Sequence, residues 1–428
     1  MKHRIHRKRK QKHRTIKGLA LTGTCLGVIA GTSFNAHAQS TPEADQIAQL
    51  QKQNQALQQQ LDTLEDMAKK QGLLPSNSDP PVSAMSQMSI SGFVQTSYFY
   101  NVDRPAGGYS AGYLWNTKDN NFSINKVKLT FASPPAERSG DKWDAGYRVS
   151  LMAGEDAPVL NTGSGTTGFD WLREAYVDLN VPIGSGLNVK AGELISLLNY
   201  ESGDGGAANE NFSQGYQWYY TGDGPETGVQ LDYAFTDWLD VKFRVENGLY
   251  AGNIATTSKK GVMGSIDLKP NDKLWVNLTG FGGEGVGTIE ADGGEVLAGY
   301  QVTDALGTGF EWDYFHLTHP TDNLWSIGGW VWYDFTSEVG LAFRADFVDQ
   351  KDGEPNFDSP PYRGVPDAGI GSTPGGGHIA SFTLTLNLKP TPNIKIQPEI
   401  RYNTTSYSGG FNGKDSQFIV GCGGTYLF

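Results

Sequence analysis

The chain has 428 residues, of which 38% are hydrophobic, 19% charged and 11% aromatic, with 55 glycines and a formal net charge of −12. Length leaves the domain count open, because barrels run longer than sandwich domains. The acidic balance disfavours nucleic acid as a partner, and two cysteines, Cys25 and Cys422, are too few for a disulfide framework.

The first 17 residues hold nine Lys and Arg and no acid, and the mainly apolar run 18–31 leads to Ala36-His37-Ala38. This is the layout of a secretory signal peptide over 1–38, cleaved after Ala38. A basic nucleic-acid arm is the weaker alternative, and Thr24 stands where a lipoprotein signal before Cys25 wants Gly or Ala. Cleavage would remove nine of 34 basic residues and none of 46 acidic ones, leaving 25 against 46 and a net charge of −21. Only Cys422 would remain, which excludes an internal disulfide.

Over 42–72, Ile47, Leu50, Asn54, Leu57, Leu61, Leu64 and Ala68 recur at alternating steps of three and four. That is a short coiled-coil helix with one polar a position, Asn54, which costs stability but fixes register. It predicts an oligomerising or cell-wall-facing stalk, against the plainer reading of a solvated Gln-rich helix. Such a short coiled coil is marginal alone. Residues 73–87, rich in Pro and Ser, form a linker.

The mature chain has no apolar run long enough for a helical span, about 18 residues, so the one route across a membrane is a β-barrel, whose lipid face hides in alternation. From Ser89 onward, segments of about ten residues alternate apolar and polar side chains. In 239–249, Leu239, Val241, Phe243, Val245 and Leu249 oppose Asp240, Lys242, Arg244 and Glu246. Similar strands are predicted at 143–151, 173–181, 382–388 and 394–403. Short connections at 235–238, 269–272, 335–338 and 389–393 alternate with long Gly-, Asp- and Asn-rich loops near 101–120, 153–169, 197–226, 282–294 and 349–377. Outer-membrane barrels show this asymmetry. Keeping the long loops on one side gives about 16 strands, provided 296–302, 309–316 and 325–333 are three separate short ones; fusing segments there gives fourteen or twelve. Trp143, Trp171, Trp238, Trp275 and Trp325 fall at strand ends, where interfacial girdles sit. The last strand alternates Phe418, Val420, Cys422, Gly424, Tyr426 and Phe428, a lipid-facing row ending on an aromatic, as the barrel-insertion machinery reads.

With the signal, the heptads, the T-D-x-L turns (Thr236 to Leu239, Thr303 to Leu306, Thr321 to Leu324) and Phe428 together, the chain resembles outer-membrane porins, and most of all the OmpL-like β-barrel porins, over 88–428. The resemblance is one of pattern, and the short connections around 303–338 depart from it. It implies an all-β transmembrane antiparallel barrel in the bacterial outer membrane, passing ions and small hydrophilic solutes. The Gln-rich helix is similar to one that precedes the barrel in porin groups, some of them trimeric. The partners implied are outer-membrane lipid and lipopolysaccharide, the assembly machinery, and further copies in a dimer or trimer.

If the apolar strand faces meet lipid, the opposite faces line the lumen. They carry Lys126, Lys128, Arg148, Glu174, Asp178, Lys190, Lys242, Arg244, Glu246, Arg344, Asp346, Lys395, Glu399 and Arg401, together with Asp144, Asp232 and Asp240. This predicts a wall near charge balance with the excess acid in loops, able to order water and favour polar solutes, or else paired charges that merely solvate the interior. Changing Lys242 and Arg244 to Glu should then move ion preference toward cations. Three rivals stand beside a porin. An enzymatic barrel would need a convergent acid–base set, whereas His316 and His319 have i, i+3 spacing, which in a strand places them on opposite faces. A structural or adhesive barrel would show no conductance, and a secreted soluble β protein would leave the membrane without detergent. No metal site, cofactor or catalytic motif is expected.

Overall fold

The computed structural model describes residues 88–428, apart from 106–107, 111–117, 162–169, 223, 251–257, 286–289, 319–320 and 351–376. The expected signal peptide, the heptad positions Ile47 to Leu64 and the linker lie outside the described residues, as does His319.

Strict two-residue alternation is what a strand needs to bury one face and expose the other. Along β15 (Ile394–Thr405) buried and more open positions alternate: Lys395, Gln397, Glu399, Arg401 and Asn403 are buried, whereas Ile396, Ile400 and Tyr402 are exposed. The inside is thus polar and the outside apolar, the inverse of a water-soluble sandwich. Sixteen strands repeat the arrangement: β1 (Ser89–Asn101), β2 (Asn121–Ala132), β3 (Asp144–Ala153), β4 (Leu172–Val181), β5 (Leu187–Ile195), β6 (Pro225–Thr236), β7 (Leu239–Glu246), β8 (Gly261–Leu268), β9 (Leu274–Glu284), β10 (Glu290–Gln301), β11 (Leu306–Thr318), β12 (Thr321–Asp334), β13 (Val339–Gln350), β14 (Gly377–Thr391), β15 and β16 (Ser416–Leu427). Each pairs antiparallel with its chain neighbours, and β16 closes on β1 with Leu427 opposite Phe93 and Tyr426 opposite Val94. Closure leaves no unpaired sheet edge, which a lipid environment would penalise at every open amide.

The three segments on which the strand count depends are indeed separate, as β10, β11 and β12, and each is longer than expected. The segment 282–294 is not a long loop: β9 continues to Glu284 and β10 begins at Glu290, with Gly282 paired to Asp292 and Gly280 to Gly294. Glycine and acid suggest a loop there, yet inter-strand pairing overrides the weak local preference. In the tight turns Thr236 Oγ1 accepts from the amides of Trp238 and Leu239, and Thr303 Oγ1 from those of Ala305 and Leu306. Thr321 to Leu324 belong to β12 and not to a turn; the equivalent turn is Thr336, whose Oγ1 accepts from Glu338 and Val339 at 3.1 Å each.

Trp143, Trp171 and Trp238 are more than half exposed at strand ends, together with Phe235 and Phe335, as interfacial rings should be. Trp325 also faces outward, with Nε1 donating to Asp349. Trp275 does not join them. It points inward and stacks on Tyr200, with centroids 5.8 Å apart, because an indole satisfied by an aromatic partner suits an interior as well as an interface. Leu249 likewise leaves the expected outward row, since β7 stops at Glu246 and Leu249 is buried beyond it.

Candidate lumen constriction

The connection 196–224 between β5 and β6 does not extend into solvent. It holds a 3₁₀ turn (Gly205–Ala207) and one short helix, α1 (Tyr216–Thr221), and most of its residues are buried. Six consecutive residues of α1 are buried, among them Tyr216, Trp218, Tyr219 and Tyr220. These rings cluster with Met152, Leu160, Val348, Ile379, Tyr407 and Phe411. Burying each large apolar side chain contributes about 1.5–3 kcal/mol, which draws the loop in.

Polar contacts then fix the loop along the wall. Asn199 N donates to Glu295 of β10 at 2.6 Å, and Tyr200 N to Glu311 of β11 at 2.9 Å. Glu201 accepts from Arg344 of β13 at 2.8 Å and from Trp330 of β12 at 3.3 Å. On the far side Asp204 pairs with Lys128 of β2 at 2.9 Å. Lys395 of β15 donates to the carbonyls of Gly206 and Asn209, Glu399 accepts from the amides of Phe212 and Ser213, and Arg401 donates to Gln214 O at 2.9 Å and covers the Tyr216 ring. Asp346 accepts from Tyr216 N at 2.7 Å. The loop therefore leaves β5, crosses to strands on the opposite side of the barrel and returns to β6. Two wall glycines make room for it: a β-carbon on Gly423 would collide with the Phe212 ring, and one on Gly328 with Gln217 Oε1.

All fourteen charged residues expected to face the lumen lie on the faces opposite the exposed apolar rows, yet few are open. Lys126 pairs with Asp156 at 2.8 Å, Lys242 with Asp267, and Arg244 with Glu226, while Glu246 lies near Arg244 at 3.9 Å. Asp178 accepts from Asn188. Lys242 and Arg244 are each 2% exposed, so the expectation that they set ion preference meets two sealed ion pairs. Arg148, paired to Glu174 at 2.6 Å, keeps 38% of its side chain exposed, and Lys190, over the Tyr176 ring, is part-exposed. These two stand on β3 and β5, and among the described residues neither forms a hydrogen bond or ion pair with the loop, although Asp204 lies close enough to act on the charge of Arg148.

On the turn rim the connection 133–143 closes over the strand ends: Arg138 pairs with Asp232 at 2.6 Å and Asp240 at 3.0 Å, and Asn180 donates to Ser139 O and Lys142 O. Beyond β3, burial pushes the Asp156 carboxyl up to about 6, against the pull of Lys126.

Sequence reasoning missed Glu201, Asp204 and the whole inward course of 196–224, as well as the buried acids Glu226, Asp267, Glu284, Glu295, Glu311 and Asp313. The wall is therefore more acidic than the near balance expected. Glycines interrupt the alternation around Glu295 and Glu311 and hide them, whereas the run Tyr216-Gln217-Trp218-Tyr219-Tyr220 was a legible sign, since so many rings do not sit well in water.

Only a bilayer accounts for apolar outer strand faces around a charged interior. Fold and interior thus define an outer-membrane β-barrel of the channel-forming class. Residues 87–428 match the family described as "Putative beta-barrel porin-2, OmpL-like", and the chain belongs to that family. No curated protein matches the sequence. Among solved structures, the chain is similar to the outer membrane channel DcaP of Acinetobacter baumannii, at 12% identity and a TM-score of 0.52, over 80% of this chain and 97% of that one. A loop L8 deletion mutant of OmpT, an outer membrane protein of Vibrio cholerae, gives 12% identity and a TM-score of 0.51 over 80% and 99%. In vitro folded OmpT in its trimer form gives 12% and 0.50 over the same shares. At this identity the likeness is one of fold.

Proposed function

We propose that the barrel is a passive channel for ions and small hydrophilic solutes, its width set by the loop 196–224. The observation that carries this reading is the course of that loop, tied to β2 and to β10–β15 while Arg148 and Lys190 stay accessible on β3 and β5. A charged, wet passage lowers the cost of moving polar solutes and does nothing for apolar ones, so size and charge would govern passage. The buried charges Lys126, Lys128, Glu174, Asp178, Lys242, Arg244, Glu246, Arg344, Asp346, Lys395, Glu399 and Arg401 would hold the wall and loop in place rather than touch solute. Phe418, Val420, Tyr426 and Phe428 would serve as the insertion signal for the assembly machinery, on a surface that meets lipid and lipopolysaccharide. The heptads Ile47, Leu50, Asn54, Leu57, Leu61 and Leu64 favour a homo-oligomer, their Asn54 suiting a parallel dimer and the trimer form of OmpT speaking for a trimer, exported by a cleaved signal.

The test is permeation into liposomes carrying the refolded barrel. Swelling rates should fall steeply as sugars grow from monosaccharide to trisaccharide; rates equal to those of empty liposomes for every solute would reject a channel and favour a structural or adhesive barrel.

A further inference from the structure

Glu295 and Asp313 stand directly opposite each other in the β10–β11 pairing, and Glu311 lies two residues before Asp313 on the same inward face. Like charges at directly opposed positions repel. The three are 2%, 1% and 0% exposed, and one oxygen from each lies within 4.8 Å of the others. Among the described residues, none forms an ion pair with a Lys, Arg or His. Arg344, two strands further on, is committed to Glu201 and Asp346. Three buried carboxylates without a counter-charge carry a desolvation cost that neutral hydrogen bonds offset only in part.

The lumen loop brings two amide side chains to the same place. Asn199, 2% exposed, reaches Glu311 through Nδ2 at 2.5 Å, and its Oδ1 has no partner. Gln217, 1% exposed, reaches Asp313 through Nε2 at 2.9 Å, and its Oε1 is likewise unpartnered. Glu295 Oε1 and Asp313 Oδ1 also lack a donor, although donors serve the other oxygens of both carboxylates: Asn199 N for Glu295, and Ser326, Gln217 and Thr221 for Asp313. The loop thus supplies donors up to a point and leaves acceptor oxygens over, an arrangement that a cation completes.

We propose that Glu295, Glu311 and Asp313, with the Asn199 amide turned so that its unpartnered Oδ1 replaces Nδ2 at the site, bind one divalent cation that fastens the lumen loop to the β10–β11 wall. The donors are all hard oxygen, without sulfur or imidazole, which selects calcium or magnesium over softer metals. Oxygens within 4.8 Å of one another suit a cation with ligands at about 2.4 Å, and an irregular set of carboxylate and amide oxygens suits calcium's flexible coordination better than magnesium's strict octahedron. The site lies between loop and wall, so it bears on loop position and not directly on solute contact.

The experiment is terbium luminescence on the folded full-length protein in detergent at neutral pH, because terbium substitutes for calcium and Tyr200, stacked on Trp330 with centroids 4.5 Å apart, stands beside the site as an energy donor. Saturable emission at one ion per chain is expected, displaced by calcium at lower concentration than by magnesium. Affinity should drop at least tenfold in Glu311→Gln and hold in Asp292→Asn, whose carboxylate is exposed on the outer face of β10. Should Glu311→Gln fail to fold, wild type alone still decides: calcium should raise its unfolding temperature by several degrees and a chelator reverse this. Absence of saturable emission from folded wild type, or emission unchanged in a folded Glu311→Gln protein, would overturn the proposal and leave protons as the means by which the carboxylates are neutralised. Because binding is read without any flux, its failure is distinct from failure of the channel reading.

Discussion

Arg344 on β13 donates through Nη1 both to Glu201 Oε1 at 2.8 Å and to Ser213 O, so a single guanidinium ties the outgoing and returning passes of the lumen loop to the wall. Both side chains are essentially sealed from solvent. Removing one partner of a buried pair leaves the other charge stranded, at a cost of about 3–5 kcal/mol. Arg344→Met should therefore loosen 196–224, seen as new protease cleavage within that segment of an otherwise intact barrel, and Arg344→Met with Glu201→Gln should recover part of the protection. Undiminished protection in the single variant would show that other contacts hold the loop.

Gly423 on β16 faces Phe212 so closely that no β-carbon fits. Gly423→Val should push Phe212 off the wall at a cost of about 1–3 kcal/mol, the range for overpacking. Lower thermal stability is expected with the same strand content by circular dichroism, whereas unchanged stability would mean that Phe212 moves aside freely.

Arg148 and Lys190 are the expected lumen cations that keep access to water. Arg148→Glu with Lys190→Glu should move the reversal potential in a salt gradient toward cation preference. The same exchange at Lys242 and Arg244 strips the cations from Asp267 and Glu226, and should instead reduce the yield of folded, heat-modifiable barrel on a gel. A reversal potential that ignores the first pair would place the conducting path elsewhere.

Asp156 gives the fold a pH dependence of known sign. Its folded carboxyl titrates near 6, above its ordinary value of 3.8, so between those values the native state holds more protons than the unfolded one. Stability from this group is therefore present at low pH and lost as pH rises through about 6. At about 1.4 kcal/mol per unit the effect is on the order of 3 kcal/mol. Asp156→Asn should flatten the slope of unfolding free energy against pH between 4 and 6; an unaltered slope would assign the dependence to other groups.

The barrel was legible because its rule is local. Lys395, Gln397, Glu399 and Arg401 alternate with Ile394, Ile396, Pro398 and Ile400 in the sequence itself, and the structure keeps that order, inside against outside. The sixteen strands follow once the turns are placed. What could not be read is where non-local contact overrides local preference. Gly282 and Gly294 look like loop residues but pair across strands, and Trp275 looks interfacial but stacks inward on Tyr200. The segment 196–224 reads as a polar surface loop from its Gly and Asn content, and only the rings of Tyr216 to Tyr220 hint that it is buried. That segment reaches Lys128, Arg344, Asp346, Lys395, Glu399 and Arg401 among the expected lumen charges, and alternation along a strand carries no sign of which inward side chains a distant loop will cover.

Single-channel recording of the purified protein beside a variant whose loop is shortened between Ser202 and Gln214 tests the central claim most directly. Stepwise openings are expected for both, with at least a twofold larger conductance in the shortened variant, since the wall strands stay paired while the obstruction is gone. Folded protein that never opens, or two proteins with the same conductance, would contradict a channel narrowed by its own loop.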